Sequence, residues 1–311
     1  TVIRVSNSSA SGVTGTVEKT LTTGAEPWNI VASPDGRRVF VANSGQDTIS
    51  VIDTNSRSVV TNFNIRDSQC NDPDRNRHFQ PRGLAVTQDG SRLFVTRFLS
   101  FTKEGGAQAD DLGKEGIVCQ LNIPASVNQP LTFGAKVALS SLNTGFKIDK
   151  NKDTIADDTF AYPNQMQSVV IRGNQAYLPN IASSPSGPLK FNVDTQAFVN
   201  VIENAAVGTP IDAGATKSIN MHLGARLPES GKQKIFFANP WAIAFSNQSG
   251  AGNAYVVSSG SDLLVKLNVD AAGKLDFTVG VSTTRYIDLN DPDVTSTQGR
   301  NAGKNPLGIV I

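Results

Sequence analysis

PWNIVASPDGRRVFVANSGQDTISVIDTNSRSVV, residues 27–60, is the stretch of sequence that decides the fold. It holds short apolar segments separated by turn residues. The segment Thr48–Asp53 alternates apolar and polar side chains with the period of two that is typical of a half-buried strand. Gly36, in the turn SPDG, can adopt the positive φ that such a turn needs. The stretch therefore predicts a four-stranded antiparallel meander, which is the unit of a β-propeller blade.

Pieces of this stretch recur along the chain. Pro81, Pro240 and Pro306 begin PRGLAV, PWAIAF and PLGIVI, and a weaker copy after Pro163 continues as MQSVVI. Because one such unit cannot bury both of its faces alone, the copies must stack against each other. We therefore predict an all-β chain and, within it, a β-propeller of four-stranded antiparallel blades, with about four complete blades.

The two ends of the chain predict partial blades. Residues 1–22 contain two strand-like segments, which would be the last two strands of a blade, and residues 305–311 have the pattern of the first strand of another. We take residues 1–311 as a single propeller domain. Since a chain that stops within a strand leaves an exposed sheet edge, we expect the chain to continue past residue 311.

Composition excludes several classes of partner. The chain has 28 Lys and Arg against 27 Asp and Glu, so it offers no electrostatic case for binding nucleic acid or anionic lipid. It has no apolar run of about 18 residues that could span a membrane. Its abundant Asn, Ser, Thr and Gly suit an exported β-protein, either periplasmic or at the cell surface.

Cys70 and Cys119 are the only cysteines in the sequence. Neither belongs to a CxxCH haem-attachment motif or to a CxxC pair, so we expect no haem within these residues. Two interpretations stay open for them. They form one disulfide between neighbouring blades, or they are two unpaired thiols.

The quoted stretch resembles the YVTN-type β-propeller repeat, a family related in shape to WD40 propellers. The resemblance rests on the pattern PxxIAxSPDGxxVYVxNxxxxTVSVIDTxT, which residues 27–58 match almost throughout, with FVAN at residues 40–43 in place of Tyr-Val-Thr-Asn. Later copies depart from it, as FVTR, YLPN and YVVS. The resemblance implies a propeller of the kind found in bacterial and archaeal surface-layer or periplasmic proteins, some of them lactonase-like.

The long inserts between the copies and the ending GKNPLGIVI are similar to a narrower group within that family. In that group a YVTN propeller is joined to a downstream c-type cytochrome region in one exported chain. This second resemblance implies a redox partner domain, whose haem would lie outside residues 1–311.

One acidic loop has the spacing of a calcium site. Oxygen ligands at positions 1, 3, 5 and 9 of a loop, with a backbone carbonyl at position 7, can surround Ca²⁺. Thr154 replaces the turn glycine of an EF-hand, and Phe160 stands where its bidentate glutamate should be. The alternative is a solvated acidic loop, whose charge Lys150 and Lys152 soften. The candidate ligands of a structural Ca²⁺ are Asp149, Asn151, Asp153, Ile155 through its carbonyl, Asp157 and Asp158.

His78 and His222 are the only histidines, and each is a candidate general base or ligand. The alternative for both is a surface or hydrogen-bonding role. No GxSxG elbow, HExxH motif, phosphate-binding loop or dinucleotide fingerprint occurs in the sequence. The sequence therefore favours a chain that is not an enzyme.

Aromatic and basic residues mark a second candidate region. Trp28 and Trp241 follow repeat prolines, which places them near the rim of the central channel, either as a stacking platform or as wedges between blades. A modest basic cluster around the second copy could hold an anion, unless Asp72 and Asp74 neutralise it. Its members are Arg75, Arg77, Arg82 and Arg97.

Three functions follow as hypotheses. The first is an exported, non-enzymatic binding or scaffold module, stabilised by Ca²⁺, that presents loops to a protein partner or an attached redox domain. The second is a lactonase-like hydrolase that uses His78 or His222. The third is the docking half of a cytochrome or peroxidase electron-transfer protein. The sequence does not identify a small-molecule ligand or the oligomeric state.

Overall fold

The computed structural model describes residues 1–8, 12–188, 191–225, 236–277, 285–289 and 305–311. Within these ranges most regular structure is extended, so the all-β prediction is confirmed. The short helices are α1 (Phe191–Asp194) and α2 (Met221–Ala225), and 3₁₀ turns cover Gln69–Asn71, Gly214–Thr216 and Ser259–Ser261. The strands are β1 (Val2–Ser8), β2 (Gly12–Lys19), β3 (Pro27–Ala32), β4 (Arg38–Asn43), β5 (Thr48–Asp53), β6 (Ser58–Asn64), β7 (Pro81–Val86), β8 (Arg92–Arg97), β9 (Phe101–Thr102), β10 (Lys114–Asn122), β11 (Thr132–Leu139), β12 (Leu142–Ile148), β13 (Asp157–Asn164), β14 (Val170–Arg172), β15 (Gln175–Ser183), β16 (Thr195–Glu203), β17 (Ile211–Asp212), β18 (Ile219–Asn220), β19 (Pro240–Phe245), β20 (Gly252–Ser258), β21 (Leu263–Val269), β22 (Leu275–Phe277) and β23 (Tyr286–Asp288).

These strands form antiparallel sheets, which we number along the chain. Sheet 1 is the β1–β2 hairpin, and sheet 2 is the meander β3-β4-β5-β6. Sheet 3 is β7-β8-β10-β11, with β9 added to β10. Sheet 4 has the order β12-β13-β15-β16-β17, with β14 added to β15 and β18 added to β16. Sheet 5 has the order β19-β20-β21-β22, with β23 added to β21. The predicted meander of residues 27–60 is confirmed by sheet 2, and its pattern recurs in the next three sheets.

Sheets 2 to 5 stack face to face in chain order. Phe40 of sheet 2 shares one buried cluster with Leu93 of sheet 3. The next residue on β8, Phe94, points to the other face and packs into the cluster that sheet 3 shares with sheet 4. Tyr177 of sheet 4 then meets Phe245 of sheet 5, with ring centroids 4.6 Å apart. Successive residues of one strand thus serve the two neighbouring sheets, as strand alternation requires.

Arginines connect each of these sheets to the next, and two of the three, Arg38 and Arg172, are buried. Arg38 Nη2 donates to the carbonyl of Pro124, in the β10–β11 turn of sheet 3, at 2.7 Å. Arg92 Nη1 donates to the carbonyl of Gly208, in the β16–β17 turn of sheet 4, at 2.8 Å. Arg172 Nε donates at 2.8 Å to a carbonyl in the β19–β20 turn of sheet 5. Because backbone carbonyls of the turns accept these bonds, the turns can vary in sequence while the contact is kept.

The residue that begins each copy of the repeat has a left-handed backbone. Its φ lies between 43° and 54° in all five copies, although none of these residues is glycine. Such a conformation is uncommon for a side-chain-bearing residue and is best tolerated by short polar ones. It turns the chain sharply into the first strand of each repeat. The five residues are Glu26, Gln80, Gln165, Asn239 and Asn305.

A disulfide between Cys70 and Cys119 resolves the alternative left open by the sequence. Their Cα atoms are 5.4 Å apart, and both side chains are fully buried. Cys70 lies in a 3₁₀ turn after sheet 2, and Cys119 lies on β10 of sheet 3. The bond therefore joins two neighbouring sheets, as the first interpretation expected.

The ends of the chain and one inner segment differ from a regular repeat. Residues 1–19 form the predicted pair of strands, whereas residues 305–311 contain no strand. The third copy also differs from the repeat pattern, which predicts strands over residues 176–178 and 189–193. The first of these is the start of the longer β15, whereas α1 begins at Phe191 and residues 189–190 lie outside the described ranges. No described helix is long and apolar enough to cross a membrane.

Candidate ligand-binding site

The second residue after the left-handed one occupies an equivalent position in the first four copies. It lies in the first strand of sheets 2, 3 and 5, and in the third copy it precedes β14. Trp28 and Arg82 follow Pro27 and Pro81, and the equivalent residues in the third and fourth copies are Gln167 and Trp241. The ring centroids of Trp28 and Trp241 are 6.4 Å apart, with the two planes tilted by 44°. Since these indoles belong to sheets at opposite ends of the stack, the first strands converge on a common axis.

We call the group at this axis the axial cluster, and it includes Trp28, Arg82, Phe98, Gln167 and Trp241. Arg82 lies between two aromatic rings of this cluster. Its Cζ atom is 3.4 Å from the ring centroid of Trp28 and 4.4 Å from that of Phe98. Such stacking is a favourable cation–π arrangement, and it also removes water from the guanidinium.

Arg82 has no polar partner within the described part of the chain. Its Nε and Nη1 atoms are buried without a hydrogen bond. Burial lowers the pKa of Arg82 below its usual value, and the negative charge of Glu26 partly opposes this shift. Arginine nevertheless stays charged at neutral pH. A desolvated and unpaired cation is costly, and an anion at the exposed part of the guanidinium would offset that cost.

Gln167 is the second polar member of the axial cluster that lacks a partner. Its side chain is 7% exposed, and its Oε1 atom accepts no hydrogen bond. The backbone around it is fixed on both sides. Met166 accepts a hydrogen bond from Thr96 Oγ1 at 2.8 Å, and Ser168 Oγ donates to the carbonyl of Trp241 at 2.6 Å. The backbone that carries Gln167, with its unpaired Oε1 atom, is therefore held in place from both sides.

Gly83 allows the backbone next to Arg82 to approach the backbone next to Gln167. A Cβ atom added at Gly83 would lie 2.8 Å from the backbone carbonyl carbon of Ser168. Real Cβ atoms do not approach a backbone so closely, so glycine is required where β7 meets the third copy of the repeat. The residues flanking this contact are Arg82 and Gln167.

An apolar groove adjoins Trp28. It has a volume of about 540 Å³, which is within the range of small-molecule pockets. The N-terminal residues Val2 and Leu21 line one side, and Ile30 and Val41 of sheet 2 line the other. Ile30 is 65% exposed, whereas the equivalent Leu84 is 5% exposed because sheet 2 covers it. Space for an apolar group therefore exists next to the indole of Trp28.

The other arginines of the predicted basic cluster are paired with acids, as the sequence alternative allowed. Arg75 forms an ion pair with Asp72. Arg77 and Arg97 lie 3.8 Å and 3.7 Å from carboxylate oxygens of Asp74. Burial lowers the pKa of Arg97 to about 10, while the charge of Asp74 opposes that shift. Asp72 and Asp74 therefore serve these three arginines. Arg82 forms no ion pair or hydrogen bond with an acid among the described residues, and Glu26 acts on it only as a nearby charge.

His78 forms a pair with the buried Asp47. Its Nδ1 atom lies 2.7 Å from Asp47 Oδ2, and its side chain is 61% exposed while that of Asp47 is 2% exposed. The other carboxylate oxygen of Asp47 accepts the backbone N–H of Gln80. Asp262 holds the backbone N–H of Asn305 in the same way, so the aspartate belongs to the repeat and the histidine is an addition to it. A histidine fixed at Nδ1 with its other edge exposed has the arrangement of a general base.

His222 does not join this pair. It lies in α2 beside sheet 4, is 5% exposed and meets the edge of Phe236 at a centroid distance of 5.3 Å. Burial lowers the pKa of His222 to about 4, although nearby backbone groups of Thr195 and Phe237 favour its charged form. The imidazole is therefore neutral at pH 7 and enclosed, which does not suit a base acting on a substrate.

The candidate calcium ligands lie at the tip of the β12–β13 hairpin. Asp149 accepts hydrogen bonds from the backbone N–H groups of Asp153 and Thr154, at 3.1 and 2.9 Å. Asp158 pairs with Lys147 at 3.1 Å. Among the described residues, no group of three or more His, Cys, Asp or Glu side chains is placed to hold a metal ion. The Ca²⁺ site stays a prediction from sequence.

The axial cluster was only partly visible in the sequence. The two tryptophans were placed correctly near the axis by their position after repeat prolines. Arg82 was grouped with arginines that prove to be paired, and Phe98 and Gln167 were missed. Aligning the repeats would have found Gln167, because it occupies the position of Trp28 in the third copy.

Comparison with known proteins gives structural likeness alone. No protein-family model matches the chain, and no curated protein matches it. The YVTN-type resemblance and the joined cytochrome region therefore stay predictions. Structures with a similar fold include several β-propeller proteins.

Three of these structures illustrate the range. The periplasmic gluconolactonase PpgL of Pseudomonas aeruginosa is 14% identical with a TM-score of 0.44, over 92% of this chain and 64% of its own. A hypothetical selenium-binding protein of Sulfolobus tokodaii is 11% identical with a TM-score of 0.48, over 85% of this chain and 55% of its own. The β-propeller domain of Cps50 from Myceliophteria thermophila is 13% identical with a TM-score of 0.36, over 74% of this chain and 49% of its own. The chain thus spans about half to two thirds of the length of these proteins, and at such identities the likeness concerns the fold alone.

Proposed function

We propose that this chain is an exported, non-catalytic β-propeller module that binds an anionic group at the axial cluster. Sheets 2 to 5 are its complete blades, and the hairpin of β1 and β2 belongs to a further, partial blade. The observation that carries the proposal is the unpaired guanidinium of Arg82 between Trp28 and Phe98. The buried disulfide supports export, because such bonds persist in oxidising compartments.

The other arginines that lie between sheets have hydrogen-bond partners within the protein, and this contrast supports a binding role for Arg82. Arg38, Arg92 and Arg172 donate to backbone carbonyls of the next sheet. Arg97 donates from Nε and Nη2 to two carbonyls of its own sheet region. The fold therefore satisfies its structural arginines internally. A charged group that is left unsatisfied at a convergence of strands is typical of a binding site.

The partner in this proposal carries a negative group on an exposed segment or is a small anion. A protein partner or an attached cytochrome region would present a carboxylate to Arg82, and the loops around the axis would contact the surface that surrounds it. Ca²⁺ bound at the β12–β13 tip would stabilise the module without taking part in binding.

Tryptophan fluorescence tests this proposal directly. The chain has only two tryptophans, and both belong to the axial cluster, so the emission reports on this site alone. Iodide, an anionic quencher, and acrylamide, a neutral one, should be compared at constant ionic strength. We expect Arg82→Gln to reduce quenching by iodide and to leave quenching by acrylamide nearly unchanged. Equal iodide quenching in both proteins would contradict the proposal.

A matched substitution controls for charge. Arg37 is an exposed arginine in the β3–β4 turn. Arg37→Gln removes the same charge from the chain at a position outside the axial cluster, so iodide quenching should stay at the wild-type value.

A second function, a lactonase-like hydrolase, is favoured by the pair of His78 and Asp47. His78 could take a proton from water as the water oxygen adds to the lactone carbonyl. The bond between the carbonyl carbon and the ring oxygen then breaks, and the proton passes from His78 to that ring oxygen, which gives the open-chain hydroxy acid. The test is the release of acid from δ-gluconolactone above the buffer rate, followed by the loss of that rate in His78→Gln. Acid release that matches the buffer rate would leave the binding function alone.

A further inference from the structure

We infer that the axial cluster takes a cyclic hydroxy-monocarboxylic acid. The inference rests on the proposed function, because it assigns the chemistry of the anion that Arg82 would receive. It follows from the arrangement of one unpaired cation, exposed indole surface and one unpaired buried acceptor. Each of these features selects one part of the ligand.

The cation selects a carboxylate. Among the described residues Arg82 forms no ion pair, whereas Arg75, Arg77 and Arg97 are paired with Asp72 and Asp74. Glu26 adds a nearby negative charge that opposes a second charge on the ligand. A planar monoanion matches a planar guanidinium in charge and in hydrogen-bond geometry. A dianionic phosphate would need further donors that the cluster does not supply.

The indoles select a ring. Trp28 is 45% exposed and tilted by 44° against Trp241, so the pair forms an open wedge. Flat aromatic rings and the apolar faces of sugar rings both stack on indoles. The groove of about 540 Å³ beside Trp28 gives room for such a body. A flexible acyl chain would gain less from this wedge, because it has no flat face to present.

The buried carboxamide selects a hydroxyl group. Oε1 of Gln167 is buried and has no donor, which is a destabilising state for an acceptor. A hydroxyl on the ligand ring would donate to it. Sites built to bind a hydroxyl discriminate strongly against analogues that lack one, because the protein group is then left unpaired. The ligand is therefore a ring acid with at least one hydroxyl.

Isothermal titration with defined probes tests the assignment. The probes are 4-hydroxybenzoate and D-glucuronate as aromatic and sugar sources of the same chemistry, with benzoate, D-glucose and inorganic phosphate as comparisons. We expect at least one of the first two to bind about tenfold more tightly than benzoate, glucose or phosphate. Whichever of the two binds identifies the source. Equal or tighter binding of phosphate, or of benzoate, would overturn the inference.

Variants connect binding to the cluster. Arg82→Gln should lower the affinity for the bound acid by about tenfold or more, while Arg37→Gln should leave that affinity unchanged. Glu26→Gln should tighten it, and this change introduces the residue that already stands at the equivalent positions 80 and 165. Gln167→Leu should remove the preference for 4-hydroxybenzoate over benzoate. Far-ultraviolet circular dichroism of each variant checks that the sheets are intact, and Glu26→Gln gives a gain of affinity that misfolding cannot imitate.

The two levels of the proposal fail differently. If iodide quenching depends on Arg82 but neither hydroxy acid binds, the ligand class is wrong and the anion-binding function stands. If iodide quenching does not depend on Arg82, both fail together.

Discussion

Reduction of the disulfide between Cys70 and Cys119 should destabilise the protein by about 4 kcal/mol. The bond spans a sequence separation of 49 residues. Closing a loop of this length lowers the entropy of the unfolded chain by about 14 cal/mol/K, which is about 4 kcal/mol at 25 °C. Comparing reduced with oxidised wild-type protein leaves the buried packing around both sulfur atoms nearly unchanged, so the loop-closure effect dominates.

The assay is thermal and guanidinium unfolding of the two forms. Because both cysteines are fully buried, reductant must be added in denaturant and the chain then refolded. Thiol titration in denaturant should count no free thiols before reduction and two afterwards. With an unfolding entropy of about 2.1 cal/mol/K per residue, a loss of 4 kcal/mol corresponds to a Tm lower by about 6 °C.

Two results would refute this reasoning. Free thiols in freshly purified, denatured protein would show that the bond does not form. Identical unfolding midpoints for the oxidised and reduced forms would show that the loop is already restricted in the unfolded state, and that the bond contributes no stability.

Four further predictions concern other contacts. Arg92→Met should lower the free energy of unfolding by about 1–3 kcal/mol, because it removes the bonds between sheets 3 and 4, and Arg37→Met should change it by less than about 0.5 kcal/mol in the same urea titration. Gly83→Ala should lower Tm and red-shift tryptophan emission, since its Cβ would push β7 away from the third copy of the repeat. The pKa of His222 is about 4 in the folded protein and 6.5 in the unfolded chain, so the unfolded chain binds a proton at higher pH. The free energy of unfolding should therefore fall by about 3 kcal/mol as pH drops from 6.5 to 4. His222→Gln should flatten this decline, measured by urea titrations across that range. If Ca²⁺ binds as the sequence predicts, it should raise Tm over the value in chelator, and Asp153→Asn should abolish the rise.

Local pattern predicted sheet 2 well because all of its partners are close in sequence. The meander predicted for residues 27–60 has strands near residues 30, 39, 48 and 58. These are β3, β4, β5 and β6, each joined to the next by a short turn. Alternation and turn residues suffice for such a meander.

The same reasoning failed around residues 189–193 because β15 has a partner outside the repeat. The inserted β12–β13 hairpin pairs with the far end of β15, with Tyr162 opposite Ser183. β15 therefore continues well beyond the first three residues expected for it, and β16 begins only at Thr195 to pair along its whole length. Phe191 and Val193, which precede Thr195, lie in α1 instead. An insert that extends a sheet has no signal in the periodicity of the strand that it lengthens.

The candidate site shows what a repeat can and cannot reveal. Some features recur in the copies and serve the fold. They include the left-handed residue that begins each copy, and the aspartate that accepts the backbone N–H of that residue in the next copy, as Asp47 and Asp262 do. The second residue after the left-handed one is different. Its side chain changes from Trp to Arg to Gln to Trp along the four copies, while its place in the repeat is kept. A position that is fixed in space but free in residue type is where an asymmetric ligand can be recognised on a nearly symmetric scaffold. The arginine at this position gains meaning only from Phe98, which reaches it from the end of β8, and that contact is a property of the folded chain.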